Sequence, residues 1–96
     1  MKAEFLALAE DTKNDKKLGL IYNKRPIYVD DLVIINGVDP FMEDKLNGLG
    51  IYTFKQIAEW SPENAGEFDV LLSSQGSIER DSWISQAAEL TANQTI

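Results

Sequence analysis

The residues of this 96-residue chain that could bind a ligand lie first of all in one tight turn, NGVDPFMEDKL, at positions 36–46. A glycine, a hydrophobic residue and a second glycine before a helix can present backbone N–H groups to a phosphate oxygen, with help from the helix dipole. Gly37 and Val38 fit the first two positions, and Pro40 fits the first position of the following helix. Asp39 stands at the second glycine position, where its carboxylate can bond the same N–H groups and repel an anion.

The first cation after this turn is Lys45. Because Asp39 can occupy the N–H groups and carries a negative charge, we expect a turn that keeps its shape and has lost its phosphate site. If the turn did bind phosphate, the binding residues would be Gly37, Val38, Asp39, Pro40 and Lys45. Basic residues of the N-terminal segment could assist it, namely Lys13, Lys16, Lys17, Lys24 and Arg25. The same basic residues could instead dock on the acidic remainder of the chain.

Charge is divided unevenly along the sequence. Residues 1–30 carry six basic and five acidic side chains, whereas residues 31–96 carry three basic and eleven acidic ones, for a net charge of −7. An acidic body repels a phosphate backbone at long range. The charge balance therefore disfavours nucleic acid as a partner.

The composition also limits catalysis. The chain has no cysteine and no histidine, which excludes disulfides, a thiol nucleophile, Cys/His zinc sites and an imidazole base. Two acidic pairs, Glu43 with Asp44 and Glu79 with Asp81, are interpreted as solvated helix faces rather than metal or acid–base sites. We therefore expect a protein that is not an enzyme and that uses no metal and no cofactor.

Five short helices are predicted between residues 30 and 91, and they would position the turn. Each predicted start has a capping residue: Asp30 or Asp31, Asp39 before Pro40, Thr53 with Gln56 in a capping box, Ser61 before Pro62, and Ser77. The last helix would run from Ser77 to about residue 91, with Trp83, Ala87 and Leu90 on its inner face. No alternation typical of strands competes in this part. The predicted fold class is all-α, a compact bundle of five short helices with an N-terminal arm.

Three segments follow from this interpretation. Residues 1–29 would hold a short helix at 3–10, a polar loop or frayed end at 11–17 and an extended arm at 18–29, with a short β-pairing as the alternative for the arm. Residues 30–91 would form the bundle, and residues 92–96 a loose tail. No apolar stretch is long enough to cross a bilayer or to act as a signal sequence, so we expect a cytoplasmic protein without a membrane partner.

The sequence resembles a small bacterial helix-hairpin-helix family in four blocks that occur in order: DDL, GVDP, LGIYTFKQIA and ERDSWISQA. The pattern of that family is roughly DDL…GIGP…LGIxTFxQIA…RIxRDxWxxQA, and the resemblance covers residues 30–90. It implies a five-helix fold like that of SAM domains, which recurs alone and as an appendage on other bacterial proteins. More distant relatives include DNA-binding hairpins of repair enzymes and polymerases, which implies nucleic-acid binding as one possible function.

Two functions are compatible with these observations. The first is a non-catalytic protein-interaction module with a degenerate phosphate-binding hairpin, which would bind another protein or a second copy of the chain. Its candidate interaction residues are Trp60, expected to be half exposed at a helix end, and Arg80, which could instead form a structural salt bridge with Asp81. The alternative is weak, non-sequence-specific binding of DNA or RNA by the hairpin and the basic N-terminal segment.

Overall fold

The computed structural model describes residues 12–94. Within this range two strands come first, β1 (Thr12–Asp15) and β2 (Gly19–Tyr22), and a 3₁₀ helix (Leu32–Ile34) follows. Five α-helices complete the described part: α1 (Pro40–Gly48), α2 (Phe54–Ala58), α3 (Pro62–Leu72), α4 (Ser77–Arg80) and α5 (Trp83–Asn93). The helix predicted at residues 3–10 lies outside the described residues.

Residues 12–22 form an antiparallel β-hairpin, so the prediction of a purely all-α protein was wrong. Thr12 pairs with Tyr22 and Asp15 pairs with Gly19. The Asp15 carboxylate closes the turn by accepting N–H bonds from Lys17 at 2.8 Å and Leu18 at 3.0 Å. These two backbone bonds lower the pKa of Asp15 below its usual value. The β-pairing that the sequence left open for residues 18–29 is present in β2, whereas β1 lies in the segment that was expected to be a polar loop.

The β-hairpin packs on the helical bundle through backbone groups and one buried side chain. The Tyr22 N–H donates to the Gly50 carbonyl at 2.9 Å. Gln56 is only 4% exposed, and its Nε2 donates to the carbonyls of Leu20 at 3.0 Å and Gly50 at 2.8 Å. Its Oε1 accepts the Tyr52 N–H at 2.8 Å. The β-hairpin also contributes two apolar side chains to the core, Leu18 and Ile21.

Three helix starts confirm the predicted caps. Asp39 caps α1, and Pro40 occupies its first turn. Thr53 and Gln56 form the capping box of α2. Ser61 caps α3 with Asn64 as the reciprocal partner. Each cap satisfies N–H groups that a helix start leaves without partners.

The first predicted helix is only a single 3₁₀ turn. Asp31 precedes it without a side-chain capping bond, so a capping role for Asp31 was wrong. The Leu32 N–H instead donates to Oε2 of Glu43 at 2.8 Å. A carboxylate from α1 therefore stabilises the start of the preceding turn.

Asp30 joins two distant parts of the bundle instead of capping its own turn. Its Oδ2 accepts the N–H of Phe54, the first residue of α2, at 2.8 Å. Its Oδ1 accepts a bond from Nε2 of Gln94 at 2.9 Å, just after the end of α5. The first and last parts of the bundle therefore meet at one carboxylate.

The fifth predicted helix is divided into α4 and α5. Ser82 between them has φ 54°, and the α4 cap is Gly76 rather than Ser77. Ile78 and Trp83 are both buried. On one continuous helix these two residues would point about 140° apart, so the break brings both side chains into the core.

The core consists of apolar residues from the bundle. Of the residues that the structure describes, thirteen apolar ones are buried: Leu32, Ile35, Val38, Leu46, Ile51, Phe54, Ile57, Trp60, Phe68, Leu72, Ile78, Trp83 and Ala87. The expectation of a half-exposed Trp60 was wrong, because this residue is 6% exposed and stacks on Phe68 with 4.3 Å between ring centroids. Among residues 12–94, no helix has both the length and the apolar character needed to cross a membrane.

Candidate functional site

The hairpin turn has the backbone shape that its sequence predicts. Gly37 adopts φ 103°, a conformation that side chains other than glycine disfavour. The N–H of buried Val38 donates to the Ile35 carbonyl at 3.0 Å. A Cβ atom on Gly37 would lie 2.6 Å from Oδ2 of Asp81 and 2.7 Å from Nε1 of Trp83. Glycine is therefore required here by the backbone angle and by crowding from the region around the start of α5.

Asp39 occupies the position where an anion would bind. Its Oδ1 accepts the Met42 N–H at 2.7 Å, and its carbonyl accepts the Glu43 N–H at 2.9 Å. A phosphate oxygen could bond the Met42 N–H only after displacing this carboxylate. The N-cap of α1 is therefore a carboxylate of the chain itself.

Gln86 of α5 closes the other side of the turn. Its Oε1 accepts the Asn36 N–H at 2.9 Å, and its Nε2 donates to the Asn36 carbonyl at 3.2 Å. The same Nε2 donates to the Asp81 carbonyl at 2.6 Å. The ERDSWISQA block therefore packs against the hairpin turn through Asp81, Trp83 and Gln86. Sequence reasoning did not single out Gln86, although it lies in the QA part of the block.

Lys45, the first cation after the turn, contacts the end of α3 and an aromatic ring of α1. Its Nζ donates to the Leu72 carbonyl at 3.2 Å, at the C-terminal end of α3. The same Nζ lies 4.8 Å from the ring centroid of Phe41, which is 67% exposed. A cation suits the negative end of a helix dipole, so Lys45 ties α1 to α3.

The structure does not bring the basic N-terminal residues to the hairpin turn. All five cations are exposed: Lys13, Lys16, Lys17, Lys24 and Arg25. The guanidinium of Arg25 lies 5.7 Å above the ring of Tyr52. The β-hairpin bonds to Gly50, which follows the end of α1, whereas the turn precedes its start. A nine-residue helix is about 13 Å long, which separates the basic segment from the turn.

The two candidate protein-interaction residues differ in exposure. Trp60 is buried, whereas the Arg80 side chain is 64% exposed. Arg80 donates from Nη2 to the hydroxyl of Ser77 at 2.8 Å, and its Nε lies 3.8 Å from Oδ1 of Asp81. An exposed pair at that distance contributes about 0–1 kcal/mol, so Arg80 forms a weak structural bridge and stays accessible.

An open groove of about 620 Å³ lies beside Trp60, between α3 and the segment that holds α4 and α5. Its lining includes Trp60, Ala65, Gly66, Asp69, Ile78, Glu79 and Ile84. The Asp69 carboxylate accepts a bond from the Ser74 hydroxyl and another from the Gly76 N–H at 2.7 Å. These bonds, that from Ser74 above all, lower the pKa of Asp69 and keep it ionised. Sequence patterns within single helices gave no sign of a groove between them.

The acidic side chains serve as caps and surface charges. Within residues 12–94, no three Asp or Glu side chains gather in an arrangement that could hold a metal ion. Asp15, Asp30, Asp39 and Asp69 all accept bonds from backbone N–H groups. Their observed partners are those of structural carboxylates.

This hairpin, closed by Asp39 and Gln86 within a bundle of short helices, defines a helix-hairpin-helix domain. Residues 32–91 match the family described as the RS2/RL21/YNQ2 HHH domain, and the chain belongs to that family. The resemblance inferred from the four sequence blocks is thereby confirmed.

The relatives in this family include ribosomal proteins. The chain is 48% identical over 65 residues to large ribosomal subunit protein bL21 of Jannaschia sp. (strain CCS1), which covers 68% of this chain and 25% of that protein. It is 47% identical over 58 residues to small ribosomal subunit protein uS2 of Methylobacterium radiotolerans, covering 60% and 16%. Against uS2 of Methylorubrum extorquens (strain PA1) it is 35% identical over 85 residues, covering 88% and 23%. The chain thus spans a quarter or less of these relatives, and no solved structure matches it.

Proposed function

We propose that this chain is a non-catalytic protein-interaction module of the helix-hairpin-helix type, in which the hairpin is structural and holds no phosphate. The observation that carries the proposal is the 2.7 Å bond from the Met42 N–H to the Asp39 carboxylate. A phosphate would have to break this bond and approach a like charge. Lys45, the nearest cation along the sequence, is bonded to the end of α3.

The relatives support a partner that belongs to a larger assembly. Proteins named as bL21 and uS2 are components of ribosomal subunits, and each contains a segment similar to this chain. We propose that the module binds a protein component of such an assembly, or a second copy of itself, in the cytoplasm and without membrane contact. Since the matched segment is a minor part of each relative, the proposal concerns this module and not the functions of the whole relatives.

A second candidate function is weak, non-sequence-specific binding of RNA or DNA. The observation that favours it is the exposure of all five cations between Lys13 and Arg25. Lysines on the β-hairpin could contact phosphates without help from the closed turn. The eleven acidic residues of positions 31–96 oppose this candidate by long-range repulsion.

The two candidates are separated by fluorescence anisotropy with a labelled RNA single strand and a labelled DNA duplex at low salt. Under the first proposal the wild type gives no binding, and Asp39→Gly gains duplex binding because the Met42 N–H is freed. Asp44→Asn is the matched control, since it removes one negative charge from α1 without freeing that N–H.

The opposite result would favour the second candidate. In that case the wild type binds already, and log affinity falls with log salt by about 0.7–0.9 per phosphate contacted. Replacing Lys16 and Lys17 by alanine would then abolish binding, whereas Asp39→Gly would change it little. A salt-dependent wild type of this kind would contradict our first proposal.

A further inference from the structure

The groove beside Trp60 has the size and the walls of a peptide-binding site. Its volume of about 620 Å³ falls within the range of about 300–1,000 Å³ that is typical of ligand pockets. Ile78 and Ile84 line one part of it, and Trp60 and Ala65 another. These side chains favour apolar groups in whatever fills the groove.

Gly66 lines this groove from the middle of α3, at a position where the fold does not require glycine. A Cβ atom there would meet nothing within 4 Å, and its φ is not in the left-handed region. Glycine inside a helix costs about 0.5–1 kcal/mol relative to alanine. Because glycine has no side chain, the α3 backbone at Gly66 is open to the groove. Access of an occupant to this backbone would explain a residue that is otherwise unfavourable in a helix.

The charges at the groove are negative. Asp69 and Glu79 belong to its lining, and no Lys or Arg of the described chain does. The bonds that Asp69 accepts from Ser74 and Gly76 both fall on Oδ1 of its carboxylate. An occupant with Lys or Arg side chains would complement these carboxylates, whereas a nucleic acid would be repelled.

Trp60 adds an unsatisfied donor beside the groove. Its indole Nε1–H is buried and has no acceptor within residues 12–94. Buried donors are normally paired, because an unpaired one keeps its desolvation cost. The N–H itself is covered by the protein, so its resonance reports on the packing beside the groove and the N–H does not bond the occupant directly.

We infer that the groove beside Trp60 is the docking site of an apolar peptide segment that carries Lys or Arg side chains. This inference rests on the proposed function and specifies the chemistry of the protein partner. Apolar groups would lie against Ile78, Ile84 and the open backbone at Gly66. The cationic groups would reach Asp69 and Glu79.

The test is a titration of the ¹⁵N-labelled protein, followed by ¹H–¹⁵N correlation spectra. The probe is a short synthetic peptide of alternating leucine and lysine, and the control peptide has glutamate in place of lysine. We expect the leucine–lysine peptide to shift the indole resonance of Trp60 and the amides of Gly66 and Gly76 in a saturable way. The indole of Trp83, which is also buried and unpaired but does not line the groove, should move much less.

A pair of glycine variants makes the test specific to the groove. Gly66→Gln places a side chain in the groove without a clash at Cβ and should weaken peptide binding about tenfold or more. Gly48→Gln is the matched control, because a Cβ there also meets nothing within 4 Å but Gly48 lies on α1, outside the groove. Glu79→Lys should weaken binding of the leucine–lysine peptide as well.

Three results would overturn the inference: no shift at Trp60, equal binding by wild type and Gly66→Gln, or a Trp60 shift on concentrating the protein alone. The last would assign the groove to a second copy of the chain. If the peptide fails while nucleic acid also fails to bind the wild type, only the groove assignment falls. If nucleic acid binds the wild type with a steep salt dependence, the proposed function is contradicted, whether or not the peptide binds in the groove.

Discussion

The side chain of Gln86 bonds both backbone polar groups of Asn36, accepting its N–H at 2.9 Å and donating to its carbonyl at 3.2 Å. Fifty positions separate these residues, so one amide fixes α5 across the hairpin turn. Only a side chain with both a donor and an acceptor can make this pair of bonds. The shape of the turn therefore depends on the last helix as well as on its own glycine.

Replacing Gln86 by alanine should lower the free energy of unfolding by about 1–3 kcal/mol, because three hydrogen bonds to backbone groups are lost. Urea denaturation measures this change. Glu89→Ala is the control, since Glu89 is an exposed residue on the same helix and its replacement should stay within about 0.5 kcal/mol. Equal effects of the two variants would mean that Gln86 does not hold the turn.

Gly37→Ala should destabilise the protein by about 2–4 kcal/mol. The positive φ accounts for about 1–2 kcal/mol, and the approach to Asp81 and Trp83 adds the remainder. Gly48→Ala, where a Cβ meets nothing, should be neutral or slightly stabilising. Thermal unfolding of both variants checks this contrast, and a mild effect at Gly37 would argue against the crowding described here.

Gln56→Ala should loosen the β-hairpin from the bundle. The variant removes the Gln56 bonds to the Leu20 carbonyl, the Gly50 carbonyl and the Tyr52 N–H, at a cost of about 2–4 kcal/mol. The Gly50 carbonyl then keeps only its bond from the Tyr22 N–H. Amide hydrogen exchange at Tyr22 should become faster, while exchange in the middle of α3 changes less. Lys55→Ala, at the exposed neighbouring position, should leave exchange at Tyr22 as in the wild type.

Asp69 should contribute to stability at neutral pH and lose that contribution in acid. Its folded pKa is lowered from 3.8, chiefly by the Ser74 hydroxyl and then by the Gly76 N–H. A lowered carboxyl pKa stabilises the folded state above the unfolded pKa, and the effect disappears as the pH falls through the folded pKa. Asp69→Asn should therefore unfold at lower urea than wild type at about pH 6, and the gap should shrink below about pH 4. Ser74→Ala should show the same trend, and a gap independent of pH would contradict this explanation.

The features that sequence predicted correctly are those decided by neighbours along the chain. The caps at Asp39, Thr53 and Ser61 each bond a residue three positions ahead, so the local sequence contains both partners. The β-hairpin was only an alternative, because its first strand, TKND, is polar. Its position depends on Gln56 and Gly50, which are distant in sequence.

The same distinction holds for the helix break and for the site. Around Ser82 the sequence has no glycine or proline to mark the end of a helix, but burial of both Ile78 and Trp83 requires a change of direction. The capping bond of Asp39 to the Met42 N–H was predictable from the position of Asp39 next to Pro40. The groove beside Trp60 was not, because helices far apart in the sequence form its walls.

The bond between Asp30 and Gln94 has a consequence for how such a domain combines with other proteins. It places the two ends of the helical bundle next to each other, since the side chains of Asp30 and Gln94 are in direct contact at 2.9 Å. A unit whose ends are adjacent can be inserted into a loop of a host protein, or joined at either side of it, with little disturbance of the host's fold. Segments similar to this one occupy a quarter or less of the bL21 and uS2 relatives, so in those proteins the unit is joined to longer chains.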